Sequence, residues 1–467
     1  VTSAQADPGS FRDPSGQVFR EGTRILRTVT ARAAADYEFV RDAGLFSRLS
    51  AKGLVLSAEE IERDALGPVG AAARYLLQHP LIPFVSYPYE WSYPALKAAA
   101  LLHLDVQLEA LEAGIVLSDA TAYNVQFLGP RPVFIDHLSF RRYREGEIWA
   151  GHRQFCEQFL NPLLLRALQG VPHNAWFRGA QEGIPAAQLS RLLPFRRKLS
   201  WNVLSQVVLP PLLERSVGSA VAVPHTAPSK RPGFPLASYR SLLEQLRRWI
   251  ARLEPTDTRK TVWRDYAATH SYHSDEVDKK LAFVRDMTAL VRPNMLWDLG
   301  CNSGDYSKAS LAAGAKYAVG FDFDHGALEA AFARAKAEQL SFLPLLIDAA
   351  NPSPNQGWAE RERKSLGARA SAEAILALAF VHHVAIGRNV PLDRVIDWLV
   401  GLAPTGVIEF VPKSDPMVTR MLRLREDIFD GYSEENFLAA VAARARIVKS
   451  IVVSAAGRRL VWFDRSK

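Results

Sequence analysis

The stretch MLWDLGCNSGDYSKASLAAGAKYAVGFDFD (295–324) decides how this sequence folds. MLWDLGC reads as a short buried strand running into a turn, KASLAAGA as a helix closed by Gly314, and KYAVGFD as a second strand. Strand, loop, helix and strand in that order make the first half of a nucleotide-binding α/β unit. Gly300 and Gly304 fit this context, because a ligand lying across the carboxyl end of the first strand needs bare backbone beside it. The loop reads D-L-G-C-N-S-G rather than G-x-G-x-x-G and lacks the Lys-Ser/Thr pair of a phosphate loop, so a diphosphate suits it poorly. Asp298 beside the glycines repels phosphate and suits a cationic or hydroxylated ligand. Asp322 closes the second strand, where a carboxylate accepts hydrogen bonds from both hydroxyls of a ribose. Asp348 closes a third apolar run, SFLPLLID (341–348), and Asp324 reads as a capping or surface acid.

Further along, LLIDAANPSPNQGW (345–358), RASAEAILALAFVHHVAI (369–386) and GVIEFVPKSDPMV (406–418) follow in order. SIVVSAAGRRLVWFDR (450–465) then suggests a closing antiparallel pair around the turn AAGR. With DLGCNSGDYS and VGFDFD, this series over about residues 260–467 resembles the class I S-adenosylmethionine-dependent methyltransferases. The resemblance implies an α/β fold, with a Rossmann-like seven-stranded methyltransferase sheet at the C-terminus, S-adenosyl-L-methionine as cofactor and activity of the type EC 2.1.1.-. It also implies positions. Asp298, Gly300 and Gly304 would surround the amino-acid part of the cofactor, with Asn302 and Ser303 in the same turn. Asp322 would take the ribose hydroxyls, Phe323 would stack near the adenine, and Asp348 with Ala349 would meet its edge. Tyr272 lies in WRDYAATHSYHSDEVDKKLAFV (263–284), a pre-strand segment of the kind that folds over the cofactor in methyltransferases. Asp275 and Glu276 there read as caps of the helix that follows.

The same resemblance makes LALAFVHHVAI the fourth strand and its following loop, which puts His382 and His383 where the methyl group emerges. Methyl transfer from a sulfonium is an in-line displacement, so alignment of donor and acceptor supplies much of the acceleration. A histidine there could remove a proton from a nitrogen or oxygen acceptor, with His383 first and His382 second. The alternative is that either ring simply orients its loop. Glu409 is a third candidate, as base, ligand of a substrate amine or structural acid. ERERKSLGARAS (360–371) reads as a solvated helix rather than an anion site, with a lid as a further alternative. His270 and His273 have metal-like spacing, but no nearby cysteine or ordered carboxylate set accompanies them, so no metal is assigned.

The preceding half holds VLSDATAYNVQFLGPRPVFIDHLSF (116–140), in which Asp119, Asn124 and Asp136 flank a strand–turn–strand. A kinase catalytic region uses an acid, an asparagine and a second acid in that order. The set resembles aminoglycoside-phosphotransferase-like kinases, with QVFREGTRILRTV (17–29) as a remnant of small-lobe strands. Ser118 stands where such kinases carry histidine, no glycine-rich phosphate loop precedes it, and Lys52, Lys97 and Glu90 make an unsupported nucleotide clamp. The expectation is a mixed α+β, degenerate kinase-like accessory domain over 1–250, binding substrate or positioning a partner, and a methyltransferase domain over 251–467. A chance D-x4-N plus D in an unrelated domain stays open. PFVSYPYEWSYPALKAA (83–99) reads as a solvent-excluding core loop, an interdomain face or a pocket wall. VAVPHTAPSKRPGFPLASY (221–239), with four prolines, reads as a connection, and 240–253 as a helix.

At 467 residues the chain is too long for one ordinary core. Its formal charge of +8 comes from scattered basic residues, which argues against a nucleic-acid face. Two distant cysteines suggest a reducing compartment, and no apolar run free of charges spans a bilayer, so a cytoplasmic, non-membrane protein is expected. A small-molecule methyl acceptor ranks first, a protein second and nucleic acid third. A dual kinase-like phosphotransferase/methyltransferase and a non-catalytic S-adenosylmethionine-binding protein remain as alternatives.

Overall fold

A computed structural model describes residues 4–147, 149–209, 235–256, 274–423 and 426–465. Tyr272, with His270 and His273, lies outside the described residues, as does most of the proline-rich connection.

The second half is built on a parallel sheet. Its strands are β10 (Met295–Leu299), β11 (Tyr317–Asp322), β12 (Phe342–Leu346), β13 (Ala374–Ala377), β14 (Thr405–Phe410), β15 (Arg446–Val452) and β16 (Arg459–Asp464), numbered after the nine strands of the first half. Their order is β12-β11-β10-β13-β14-β16-β15. The first five run parallel, and β16 is antiparallel to both neighbours. MLWDL is buried along its whole length, as a strand covered by helices on both faces requires. The register Met295↔Tyr317 through Leu299↔Phe321 aligns the carboxyl ends of β10 and β11 at one edge. Between β10 and β13 the strand order reverses, and this is where α/β sheets leave a crevice.

In the first half, β1 (Gln5–Ala6), β2 (Val18–Glu21), β3 (Arg24–Val29), β4 (Glu59–Ile61) and β5 (Tyr75–His79) form an antiparallel sheet in the order β1-β2-β3-β5-β4. Beyond it lies the long helix Tyr93–Glu112. The expected strand–turn–strand is the hairpin β7 (Val125–Leu128) and β8 (Arg131–Phe134), flanked by the pair β6 (Ile115–Leu117) and β9 (Phe140–Arg142). The helix expected over 240–253 runs Leu236–Arg252. It packs on Tyr93–Glu112, with Gln107 Nε2 donating to Tyr239 Oη at 2.9 Å.

One apolar core runs through both halves. The aromatic segment 83–99 is the reason. Phe84 meets Trp297 edge-on at 5.7 Å and Phe321 at 6.0 Å, and Phe127 on β7 meets Phe332 at 6.3 Å. The segment therefore fills the interface between the halves. ERERKSLGARAS is not a solvated helix: it is irregular, with one short turn at Gly367–Arg369, and its Glu362 and Arg369 are drawn into contacts with the first half.

Candidate active site

The carboxyl ends of the parallel strands open onto a cavity of about 550 Å³, within the range of small-ligand sites. One wall is the loop after β10. The N–H groups of Gly300 and Cys301 both donate to the Phe321 carbonyl, at 2.7 and 3.1 Å, which draws the loop against β11. Gly300, Asn302 and Gly304 all have left-handed backbone, with φ of 77°, 47° and 84°. At Gly304 a Cβ would lie 2.5 Å from the Phe342 ring, so the tight turn requires glycine. Ser303 completes the turn, its N–H donating to Asn302 Oδ1 at 2.7 Å.

Asp322 ends β11 and lines the cavity. Its Oδ2 accepts the Asn302 N–H at 2.8 Å and its Oδ1 the Asp324 N–H at 2.9 Å, so the carboxylate is held squarely with acceptor capacity left on both oxygens. Burial pushes its pKa up, and these N–H groups oppose that rise. Phe323 lines the cavity while remaining half exposed. Asp348 and Ala349 line the next stretch, where Asp348 Oδ2 accepts from Arg388 at 3.0 Å. Asp324 caps the following helix by accepting the Ala327 N–H at 2.9 Å.

Asp298 departs from its expected place. It does not line the cavity but lies buried behind the loop, with Oδ2 accepting the Ser307 hydroxyl at 2.6 Å. Burial first, and then the Asp322 charge, push its pKa up to about 7.

At the other end of the cavity, His382 and His383 sit on a short helix, Val381–Ala385, rather than in a loop. Their rings lie 4.1 Å apart. Burial keeps both neutral, with His382 held well below the usual range and His383 lowered to about 4. His382 is 1% exposed and its Nδ1 has no hydrogen-bond partner among the described residues. Glu409, fully buried at the end of β14, also lines the cavity. Its Oε2 accepts the Ala379 N–H at 2.8 Å and its Oε1 lies 2.8 Å from Lys280 Nζ. Lys280 also pairs with Glu276 at 3.0 Å, so Glu276 serves this cluster besides standing in the first helical turn. Arg458 grips Asp415 at 2.7 and 3.0 Å.

Lys280, Arg388 and Arg458 thus line the cavity without having been singled out in the sequence. Each lies in an ordinary helical or turn context, and only the sheet brings it to the site.

The kinase-like set also comes together. Asn124 Nδ2 reaches Asp119 Oδ1 at 3.3 Å and Asp136 Oδ2 at 3.2 Å. Beside them, however, Arg27 on β3 bridges Asp136 at 2.8 Å and Asp13 at 2.7 Å. Burial and the charges of Asp136 and Asp13 raise Asp119 to about 7. The three clamp candidates are engaged elsewhere: Lys52 with Glu109, Lys97 with Glu254, and Glu90 with Arg369. Among the described residues, no group of three or more His, Cys, Asp or Glu is arranged to hold a metal.

The sheet order, the glycine turn and the strand-end acid define the second half as a Rossmann-like class I methyltransferase fold. The whole chain is 46% identical over 459 residues to the nodulation protein NoeA of Rhizobium meliloti (strain 1021), a match covering 98% of this chain and 96% of NoeA. The chain belongs to the NoeA family. No protein-family model matches it. Among solved structures, magnesium protoporphyrin IX methyltransferase (ChlM) from Synechocystis PCC 6803 is 17% identical, with a TM-score of 0.31 over 44% of this chain and 93% of its own. The N-methyltransferase NodS from Bradyrhizobium japonicum WM9 is 13% identical, with a TM-score of 0.31 over 42% and 98%.

Proposed function

We propose that the chain transfers a methyl group from S-adenosylmethionine to an oxygen or nitrogen nucleophile of a small molecule held in the strand-end cavity. The observation that carries this reading is Asp322, a strand-end carboxylate fixed by two N–H groups with both oxygens able to accept more, next to a bare glycine turn. These residues fit the cofactor. Asp322 takes its ribose hydroxyls, Phe323 covers its adenine, Asp348 and Ala349 meet the adenine edge, and the 300–304 turn lies along its amino-acid part. Asp298 supports that turn from behind through Ser307.

Bound S-adenosylmethionine supplies a methyl group on a positively charged sulfur. The chain supplies position and a dry environment. His382, neutral and with Nδ1 unpartnered among the described residues, accepts the hydrogen bond of an acceptor O–H or N–H and turns its lone pair toward the methyl group. His383 backs this ring, and Glu409 fixes Lys280 at the cavity wall. A small acceptor is favoured over a protein or nucleic acid because Lys280, His382, Glu409 and Arg458 at this end are nearly all enclosed. We place the reaction in the cytoplasm, since Cys156 and Cys301 are both unpaired; no described helix is long and apolar enough to cross a membrane.

The first half is read as a degenerate kinase-like domain without phosphotransfer, because the guanidinium of Arg27 already neutralises the acid that would hold magnesium. Calorimetric titration with S-adenosylmethionine, and separately with ATP plus magnesium, tests both statements. Saturable binding of the methyl donor and none of the nucleotide is expected. Folded protein that ignores the methyl donor overturns the proposal.

A further inference from the structure

One wall of the cavity is held from outside its own sheet. After β12 the chain gives Ile347, Asp348, Ala349 and Leu366 to the cavity and rejoins the sheet only at β13. Asp348 pairs with Arg388 of the second half, but between Asn351 and Arg369 the fastenings run to the first half. Glu90, fully buried, is the centre of them. Its Oε1 accepts from Ser353 Oγ at 2.7 Å and from Arg369 Nη2, and its Oε2 from Arg369 Nη1 at 2.9 Å and from the Tyr87 N–H at 3.0 Å. The Leu366 N–H donates to the Ser353 carbonyl at 3.0 Å, so the residue tied to Glu90 also sets the residue in the wall. Around this centre, Lys364 N–H donates to Tyr87 Oη at 2.8 Å, and Arg178 reaches the Asn351 and Pro352 carbonyls, each at 2.9 Å. The Arg369 guanidinium also lies over the rings of Tyr87 and Phe84, at 4.6 and 5.0 Å.

We propose that Glu90 is a positioning residue for the methyl-donor site: through Ser353 and Arg369 it fixes the 349–370 loop as a wall of the cavity, which makes the first half part of that site. The inference rests on reading the cavity as the donor site. A buried carboxylate that satisfies a guanidinium, a hydroxyl and an N–H gives the loop one arrangement before any ligand arrives. Without it, the loop's ordering entropy falls on the binding step and weakens affinity.

The test compares wild type with Glu90→Gln, Ser353→Ala and Tyr317→Phe in the full chain. Tyr317 Oη accepts the Gly129 N–H at 2.9 Å, an interface contact at the opposite end of β11 from Asp322, so Tyr317→Phe weakens the interface without touching the wall. Thermal unfolding, calorimetric Kd for S-adenosylmethionine and hydrogen exchange over 349–370 are measured on each. Glu90→Gln should raise Kd by about tenfold or more and speed exchange in the loop, since the cost of ordering even a few freed residues, which then falls on the binding step, is of that order or larger. Ser353→Ala, which leaves the ion pair intact, should do the same to a smaller degree and serves if Glu90→Gln fails to fold. Tyr317→Phe should lower the melting temperature with Kd unchanged. If the Glu90 and Ser353 variants lose stability yet bind the donor like wild type, Glu90 is a structural staple only and the inference is overturned. If wild type itself does not bind, the donor reading falls, and this inference with it.

Discussion

Asp322 shows what one residue can announce from sequence and what it cannot. An acid closing a strand, downstream of a glycine turn, has few structural reasons to be there, and its place at the cavity was readable from position alone. Its grip on the turn through the Asn302 N–H was not, because that bond joins residues 20 apart in sequence. Hydrogen bonds to a charged group contribute about 1.5–3 kcal/mol each. Asp322→Ala should therefore weaken S-adenosylmethionine binding by roughly tenfold or more, and calorimetry will show it. An unchanged Kd would mean the ribose lies elsewhere. Asp298 is the opposite case. Sequence places it beside the ligand, but its side chain turns inward to Ser307, and which way a strand-end carboxylate faces depends on the pleat and on a helix nine residues on.

At the scale of elements, the strands of the sheet were legible because buried parallel strands are short apolar runs between turn signals. Segments whose form depends on distant partners were not. ERERKSLGARAS has good helix formers, yet Glu90 and Arg12 of the first half take its Arg369 and Glu362, and those tertiary contacts override propensity. The turn between β15 and β16 is similar. Read as a simple hairpin connection, it delivers Arg458 into the buried cluster with Asp415 and Glu409. Removing one partner of a buried ion pair costs about 3–5 kcal/mol, because the other is left uncompensated. Arg458→Ala should lower unfolding free energy by about that amount in denaturant titration. A loss under about 1 kcal/mol, the range of surface pairs, would show the cluster to be solvated.

Across the whole molecule, buried histidines set the response to acid. Burial lowers His79 and His383 to about 4, and His103 and His173 to about 3. In the unfolded chain each titrates near its ordinary value of about 6.5. Between pH 6.5 and about 4 the unfolded state therefore binds protons that the folded state refuses, so stability falls as pH falls through that window. Asp119 and Asp298 act in the other direction: raised to about 7, they stabilise most at low pH and lose that contribution as pH rises toward 7. Four histidines against two acids leave the balance with the histidines. A series of melting temperatures should decline from pH 7 to pH 5, and a flat or rising profile would contradict the neutral burial of these rings.

The contact between Gly129 and Tyr317 joins residues 188 positions apart. During synthesis the β7–β8 hairpin and the aromatic segment before it leave the ribosome long before the strands that cover them. At about 5–20 residues per second, that wait is roughly ten to forty seconds. For that time Phe84 and Phe127 lack the second-half rings, Trp297, Phe321 and Phe332, against which the finished molecule buries them. A shared core thus makes the order of translation a hazard, and production of this protein depends on how well its first half is shielded while the second is still being made.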